Sequence, residues 1–158
     1  MILWRIAAET RHDPATDLSG AGAARNPGRW NEDGQPVLYT APTIALAVLE
    51  TAAHIDAAGL PLNRFLVRID VPDAAWAARE ALSASALPPA WAAIPAGKAS
   101  MTIGAEWLRS SRSLVLVVPS VIVPEEPTTL INPAHPHARK LAATVVRAFE
   151  YDRLFRGP

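Results

Sequence analysis

Residues 18–55, LSGAGAARNPGRWNEDGQPVLYTAPTIALAVLETAAHI, hold three pieces in a row. A small-residue loop runs into Arg29-Trp30-Asn31, a short apolar run carries Tyr39, and a helix follows with Glu50 in its middle. Thr40 or Ala41 can cap that helix, Pro42 suits its first turn, and Gly59 suits its stop. From Ile44 to Ile55 nearly every position is Ala, Leu, Ile or Val, on all sides, the pattern of a buried helix. Glu50 and His54, four apart and so on one face, are the ionisable groups in that run. An unpaired buried carboxylate would cost a large share of a domain's stability, so Glu50 needs a partner or a task.

Outward from this helix, residues 1–7 read as a first strand, with β-formers interrupted at Arg5. Residues 9–28 are loop-like. The Gly20-Ala-Gly22 run has the look of a dinucleotide fingerprint, but no apolar strand precedes it and Pro27-Gly28 blocks the helix that should follow. After the central helix, residues 63–71 alternate as a half-buried strand. A short helix around Trp76 and a Pro-rich loop near Trp91 come next, then a second helix over residues 100–110. Residues 114–118 and 121–123 are two β-rich runs separated by Pro119-Ser120, residues 129–132 a further strand, and residues 143–151 the last. Strands outnumber helices, with no βαβ alternation and no internal repeat. The expectation is a single α+β domain over residues 1–158, with mixed strands around a buried helix. Fifteen prolines imply long irregular connections.

A chain of 158 residues buries roughly two-thirds of its unfolded surface as one domain. Fifteen basic residues balance 15 acidic ones, which argues against direct nucleic-acid binding through phosphate contacts. The basic set is 13 Arg to 2 Lys, a bias that a GC-rich genome produces by itself. With no Cys, disulfides, thiolate nucleophiles and Cys-ligated zinc are excluded. The first residues lack the basic and apolar regions of a signal peptide, and no apolar run approaches the ~20 residues of a membrane span. A cytoplasmic protein without membrane contact is expected.

Several residues can carry chemistry. Arg29 is either a surface arginine packed on Trp30 or a guanidinium fork aimed at a phosphate or carboxylate. Tyr39 sits at a strand's end just before a helix, where functional side chains emerge, although a tyrosine there is more often core. Glu50 has the strongest case, for the reason above. Ser120 lacks the Gly-x-Ser-x-Gly elbow of a hydrolase nucleophile, so a turn serine between strands is its plain reading. His135 and His137 share a Pro-rich turn without a third ligand, and no metal site is expected. Trp4, Trp30, Trp76, Trp91 and Trp107 are mainly core by default.

Taken together, LSGAGA, GRWN, PVLYTA and the helix ALAVLE resemble the opening of the RES-domain family, toxins of bacterial toxin–antitoxin pairs. The LWRI opening, VPSVIVPEE, LINPAHP and the ending FEYDRLF are similar to that family in the same order, so the resemblance covers essentially the whole chain. The family's name-giving Arg, Glu and Ser map onto Arg29, Glu50 and Ser120, a catalytic set. Arg29, Trp30, Asn31 and Tyr39 are the implied substrate contacts. The resemblance implies a fold like the ADP-ribosyltransferases of the diphtheria-toxin kind, with NAD as substrate and no further cofactor. Cleavage of the nicotinamide–ribose bond, depleting cellular NAD by glycohydrolysis or phosphorolysis, is the first expectation. Mono-ADP-ribosylation of a specific cellular protein is the alternative, and a catalytically silent partner-binding module is a third, disfavoured by the intact Arg29, Tyr39, Glu50 and Ser120 set. The acceptor stays open among water, phosphate and a protein side chain. A cognate Xre-like, helix-turn-helix antitoxin is the implied partner, with room for a higher-order toxin–antitoxin oligomer.

Overall fold

The first strand, β1 (Ile2–Ala8), is apolar on both faces because both are covered. Leu3 and Ala7 enter a core with Val67 and Ile69 on one side and Leu38, Val115 and Ile131 on the other, while Trp4 and Ile6 turn toward Val48 and Leu66. In the computed structural model, which describes residues 1–55 and 62–151, these residues come from two sheets. In the first, β1, β3 (Arg64–Asp70) and β7 (Ala142–Phe149) run antiparallel in the order β1-β3-β7. The second has the order β2-β6-β5-β4, from β2 (Leu38–Thr40), β4 (Glu80–Ala81), β5 (Val115–Pro119) and β6 (Pro127–Ile131), with β4 alone parallel to its neighbour. A two-bond bridge joins the sheets: Trp4 and Ala41 exchange backbone hydrogen bonds of 2.8 and 2.9 Å.

Helices α1 (Ala21–Arg25), α2 (Ile44–Ala52), α3 (Asp73–Ala77) and α4 (Lys98–Ser110) complete the α+β architecture that the sequence leads one to expect. Helix α4 covers the second sheet. A Cβ on its Gly104 would come within 1.9 Å of the Trp30 carbonyl oxygen, so only glycine admits the loop that carries Arg29 this close.

Helix α2 differs from its expected form in three ways. Its cap is Thr43, whose side chain accepts from the Leu46 N–H, whereas Thr40 belongs to β2 and donates to the Thr129 carbonyl. It ends at Ala52, so His54 lies exposed in the following turn and does not share a helical face with Glu50. It is half-buried: Leu46, Ala47 and Val48 pack inward, while Ile44 and Leu49 are 37% and 46% exposed. The physical reason is its seat. The helix lies on the Trp4 and Ile6 face of β1, beside the bridge between the sheets, and one side stays open. The expected stop at Gly59 falls outside the described residues, as does most of FEYDRLF.

Two other departures are local. Residues 21–25 form a short helix inside the expected loop. Residues 121–123 form no strand, because the Ser120 hydroxyl accepts from the Ile122 and Val123 N–H groups and bends the chain into a turn. Among the described residues no helix is long and apolar enough to cross a membrane.

Candidate active site

The second sheet supplies the floor of the site. Directly opposed residues of neighbouring strands project to the same face. The pairs Tyr39–Leu130, Leu116–Leu130 and Val118–Thr128 therefore place Tyr39, Thr128 and Val118 on one side of the sheet. Ser120, two residues beyond Val118, stands at the end of the same row. Trp30, Trp91 and Trp107 cover the apolar part of this face, and the two rings of Trp30 and Trp91 stack with centroids 6.2 Å apart. Helix α2 arrives from the junction of the sheets and brings Glu50 to the end of the row.

Glu50 has its partners there. Its Oε1 accepts from the Ser120 hydroxyl at 2.6 Å and from the Thr128 hydroxyl at 3.2 Å. Oε2 accepts from nothing among the described residues, and the side chain is half-buried. Ser120 is itself buried, and its two acceptor positions are taken by the N–H groups of Ile122 and Val123. A hydroxyl has one proton and two lone pairs, so the only direction left for the Ser120 proton is toward Glu50. The turn-serine reading and the site reading of Ser120 thus hold together.

Arg29 is near enough to this carboxylate to feel its charge. Its Nη1 donates to the carbonyls of Trp91 and Ala93 at 2.7 and 2.8 Å, tying the loop to the Pro-rich segment 62 and 64 residues further on. Burial lowers its pKa from the ordinary value, against an opposite pull from the nearby Glu50 carboxylate and from Tyr39. Its half-buried guanidinium does not lie free on the surface.

Tyr39 holds the same loop from below. Its hydroxyl accepts from the Trp30 N–H at 2.9 Å and donates to Asn31 Oδ1 at 2.8 Å. Burial pushes its pKa above the ordinary tyrosine range, outweighing the hydrogen bond from Trp30 and the charge of Arg29. Asn31 Oδ1 also accepts from the Gly28 N–H, and its Nδ2 donates to the carbonyls of Ala23 and Gln35 at 2.9 Å each. The structure therefore joins Ser120 to Glu50 directly and sets Arg29 within electrostatic reach of both Glu50 and Tyr39. Trp30 and Asn31, expected as substrate contacts, instead turn inward, 2% and 0% exposed, and their side chains are spent on packing and on the loop's hydrogen bonds.

Thr128 and the carbonyls of Trp91 and Ala93 are the members that sequence reasoning missed. A threonine in a strand and a backbone oxygen carry no local pattern that distinguishes them. His135 and His137 lie elsewhere, where His135 Nδ1 accepts from the His137 N–H. Among the described residues no three metal-ligating side chains gather.

A mixed α+β domain with a carboxylate bonded to a serine hydroxyl and near an arginine has known relatives. The RES domain family model matches residues 2–153, and the chain belongs to the RES-domain family. It is 52% identical over 149 residues to the "Prs ADP-ribosylating toxin" of Sphingobium sp. (strain YBL2), covering 94% of this chain and 92% of that one. It is 38% identical to the "Toxin Res" of Pseudomonas putida (strain KT2440), covering 98% of this chain and all of the relative. In three dimensions it superposes on a chain of the Mycobacterium tuberculosis MbcT–MbcA toxin–antitoxin complex with a TM-score of 0.64 at 18% identity, over 92% of this chain and 84% of the other, a likeness of fold.

Proposed function

We propose that this protein is the toxin of a toxin–antitoxin pair and that it breaks the nicotinamide–ribose bond of NAD. The observation that carries the reading is the Glu50 carboxylate, with Oε1 held by two hydroxyls, Oε2 without a hydrogen-bond donor among the described residues, and the Arg29 charge nearby. In NAD the C1′–N1 bond joins a ribose to a cationic ring. On cleavage its electron pair returns to the ring nitrogen, nicotinamide leaves neutral, and C1′ carries oxocarbenium character until an acceptor oxygen or nitrogen bonds to it and loses its proton. Glu50 stabilises that cation and takes a ribose hydroxyl through Oε2. No acid is needed for the leaving group, which is why one carboxylate suffices. Arg29 pairs with the pyrophosphate, and the part of the Tyr39 ring left uncovered stacks against the pyridinium. Ser120 acts through Glu50 and is a positioning residue.

The acceptor divides two readings. Water or phosphate gives NAD depletion, as the relatives named only as toxins leave open. A protein side chain gives ADP-ribosylation, and the 52% identical relative named as an ADP-ribosylating toxin of Prs favours that acceptor class. The partner is an antitoxin, supported by the toxin–antitoxin complex of the structural neighbour, and we take it to be a helix-turn-helix protein of the Xre kind acting in the cytoplasm.

One assay tests the bond and separates the acceptors. Purified protein and its Glu50→Gln variant are incubated with NAD labelled in the adenine, with and without cell lysate. Nicotinamide release by the wild type, reduced at least about a hundredfold in the folded variant, is the expected result. Label on a protein band marks transfer, and free ADP-ribose or its phosphate marks depletion. A folded Glu50→Gln variant with full activity overturns the mechanism.

A further inference from the structure

Thr128 belongs to no part of the chemistry assigned so far, yet its hydroxyl meets the same oxygen of Glu50 as Ser120 does. We propose that Thr128 is a positioning residue for Glu50: with Ser120 it fixes the plane of the carboxylate and so aims Oε2 at the reacting ribose. This rests on the reading of Glu50 as the residue that stabilises the ribosyl cation.

The terminal torsion of a glutamate is broad and about two-fold, so a carboxylate held at one oxygen by one donor still swings about that contact. Ser120 alone supplies such a pivot at 2.6 Å. Thr128 approaches the same oxygen from the neighbouring strand at 3.2 Å. Its backbone is fixed by pairing with Val118, and its side chain is buried, 6% exposed. Two donors, one in the turn just past β5 and one on β6, remove the swing. A threonine suits the position because its branched Cβ restricts the side-chain rotamer in a strand, where serine would have more freedom. A strained or mispointed carboxylate loses catalysis before it loses binding, since the transition state alone develops the charge that Oε2 must face.

The test pairs Thr128→Val, which keeps the shape and removes the hydroxyl, with Thr128→Ser, which keeps the hydroxyl. In the nicotinamide-release assay Thr128→Val should lower kcat about tenfold while KM for NAD moves less than about twofold, and Thr128→Ser should recover most of the loss. Crystal structures of both variants supply a readout independent of NAD: Glu50 should keep its orientation in Thr128→Ser and turn or split in Thr128→Val. Wild-type kcat in Thr128→Val, an equal loss in both variants, or a loss confined to KM overturns the inference. So does an unmoved carboxylate in Thr128→Val, whatever the rate. If the wild-type protein releases no nicotinamide, the NAD reading fails instead, and the carboxylate's orientation in the two crystal structures alone decides for or against Thr128.

Discussion

Tyr39 shows how one side chain can be both scaffold and candidate contact. Its hydroxyl answers the Trp30 N–H, a donor in a segment whose side chains are buried. Tyr39→Phe leaves that N–H without its acceptor while Asn31 Oδ1 keeps Gly28, so the variant should lose about 1–3 kcal/mol of stability. Urea unfolding checks this, and an unchanged midpoint would mean that water replaces the phenol at no cost. At this scale the sequence was most informative where chemistry and context coincide. Glu50 is conspicuous as an acid among Ala, Leu, Ile and Val. Ser120 was readable as a turn residue but not as a partner of Glu50, because that pairing spans 70 positions. That Trp30 and Asn31 turn inward was not legible, because adjacency to Arg29 says nothing about which way each side chain points.

The loop from Gly28 to Asn31 is an element without regular structure, held by contacts rather than by propensity. A Cβ on Gly28 would lie 2.6 Å from the Tyr39 hydroxyl oxygen, so any other residue here requires the ring or the loop to shift. Gly28→Ala should push Tyr39 or the loop aside, lower stability by about 1–3 kcal/mol and reduce NAD turnover more than the folded fraction explains. Measuring activity beside a circular-dichroism melt distinguishes the two effects, and wild-type turnover with an unaltered melt would show that the loop yields freely. Strands β1, β3 and β7 were legible from β-branched runs and alternation. The cap of α2 was misplaced by a few residues, since Thr40, Ala41, Pro42 and Thr43 all suit a helix start and only the hydrogen bond to Leu46 selects Thr43. The expected strand over residues 121–123 failed because the Ser120 side chain, bonding to its own neighbours' N–H groups, outcompetes β propensity.

At the scale of the whole molecule, two sheets and a half-open helix bring the half-buried Glu50 carboxylate to the end of the second sheet. An antitoxin that plugs this site and NAD should exclude one another. Saturating antitoxin is expected to abolish binding of a labelled NAD analogue, read by fluorescence polarisation. Equal affinity of the analogue for free and complexed toxin would rule out plugging and leave a remote conformational effect. The α+β class follows from apolar patterning, whereas the partition into two sheets was not read from it. Nor does the junction of the sheets follow from it, because it is made by one bridge between Trp4 and Ala41, 37 residues apart, which no local periodicity encodes.

The order in which the site's parts occur along the chain also sets when it can come into being. Glu50 is made early, but its two hydroxyl donors lie 70 and 78 residues further on. The third strand of the first sheet, β7, comes later still. A growing chain on the ribosome holds Arg29, Tyr39 and Glu50 before Ser120, Thr128 and the strands β5 and β6 that seat them exist, so the site cannot be assembled until those strands have cleared the exit tunnel. A cell that synthesises this protein therefore gains an interval, during translation itself, in which a partner already at hand can meet the toxin at the moment of its assembly.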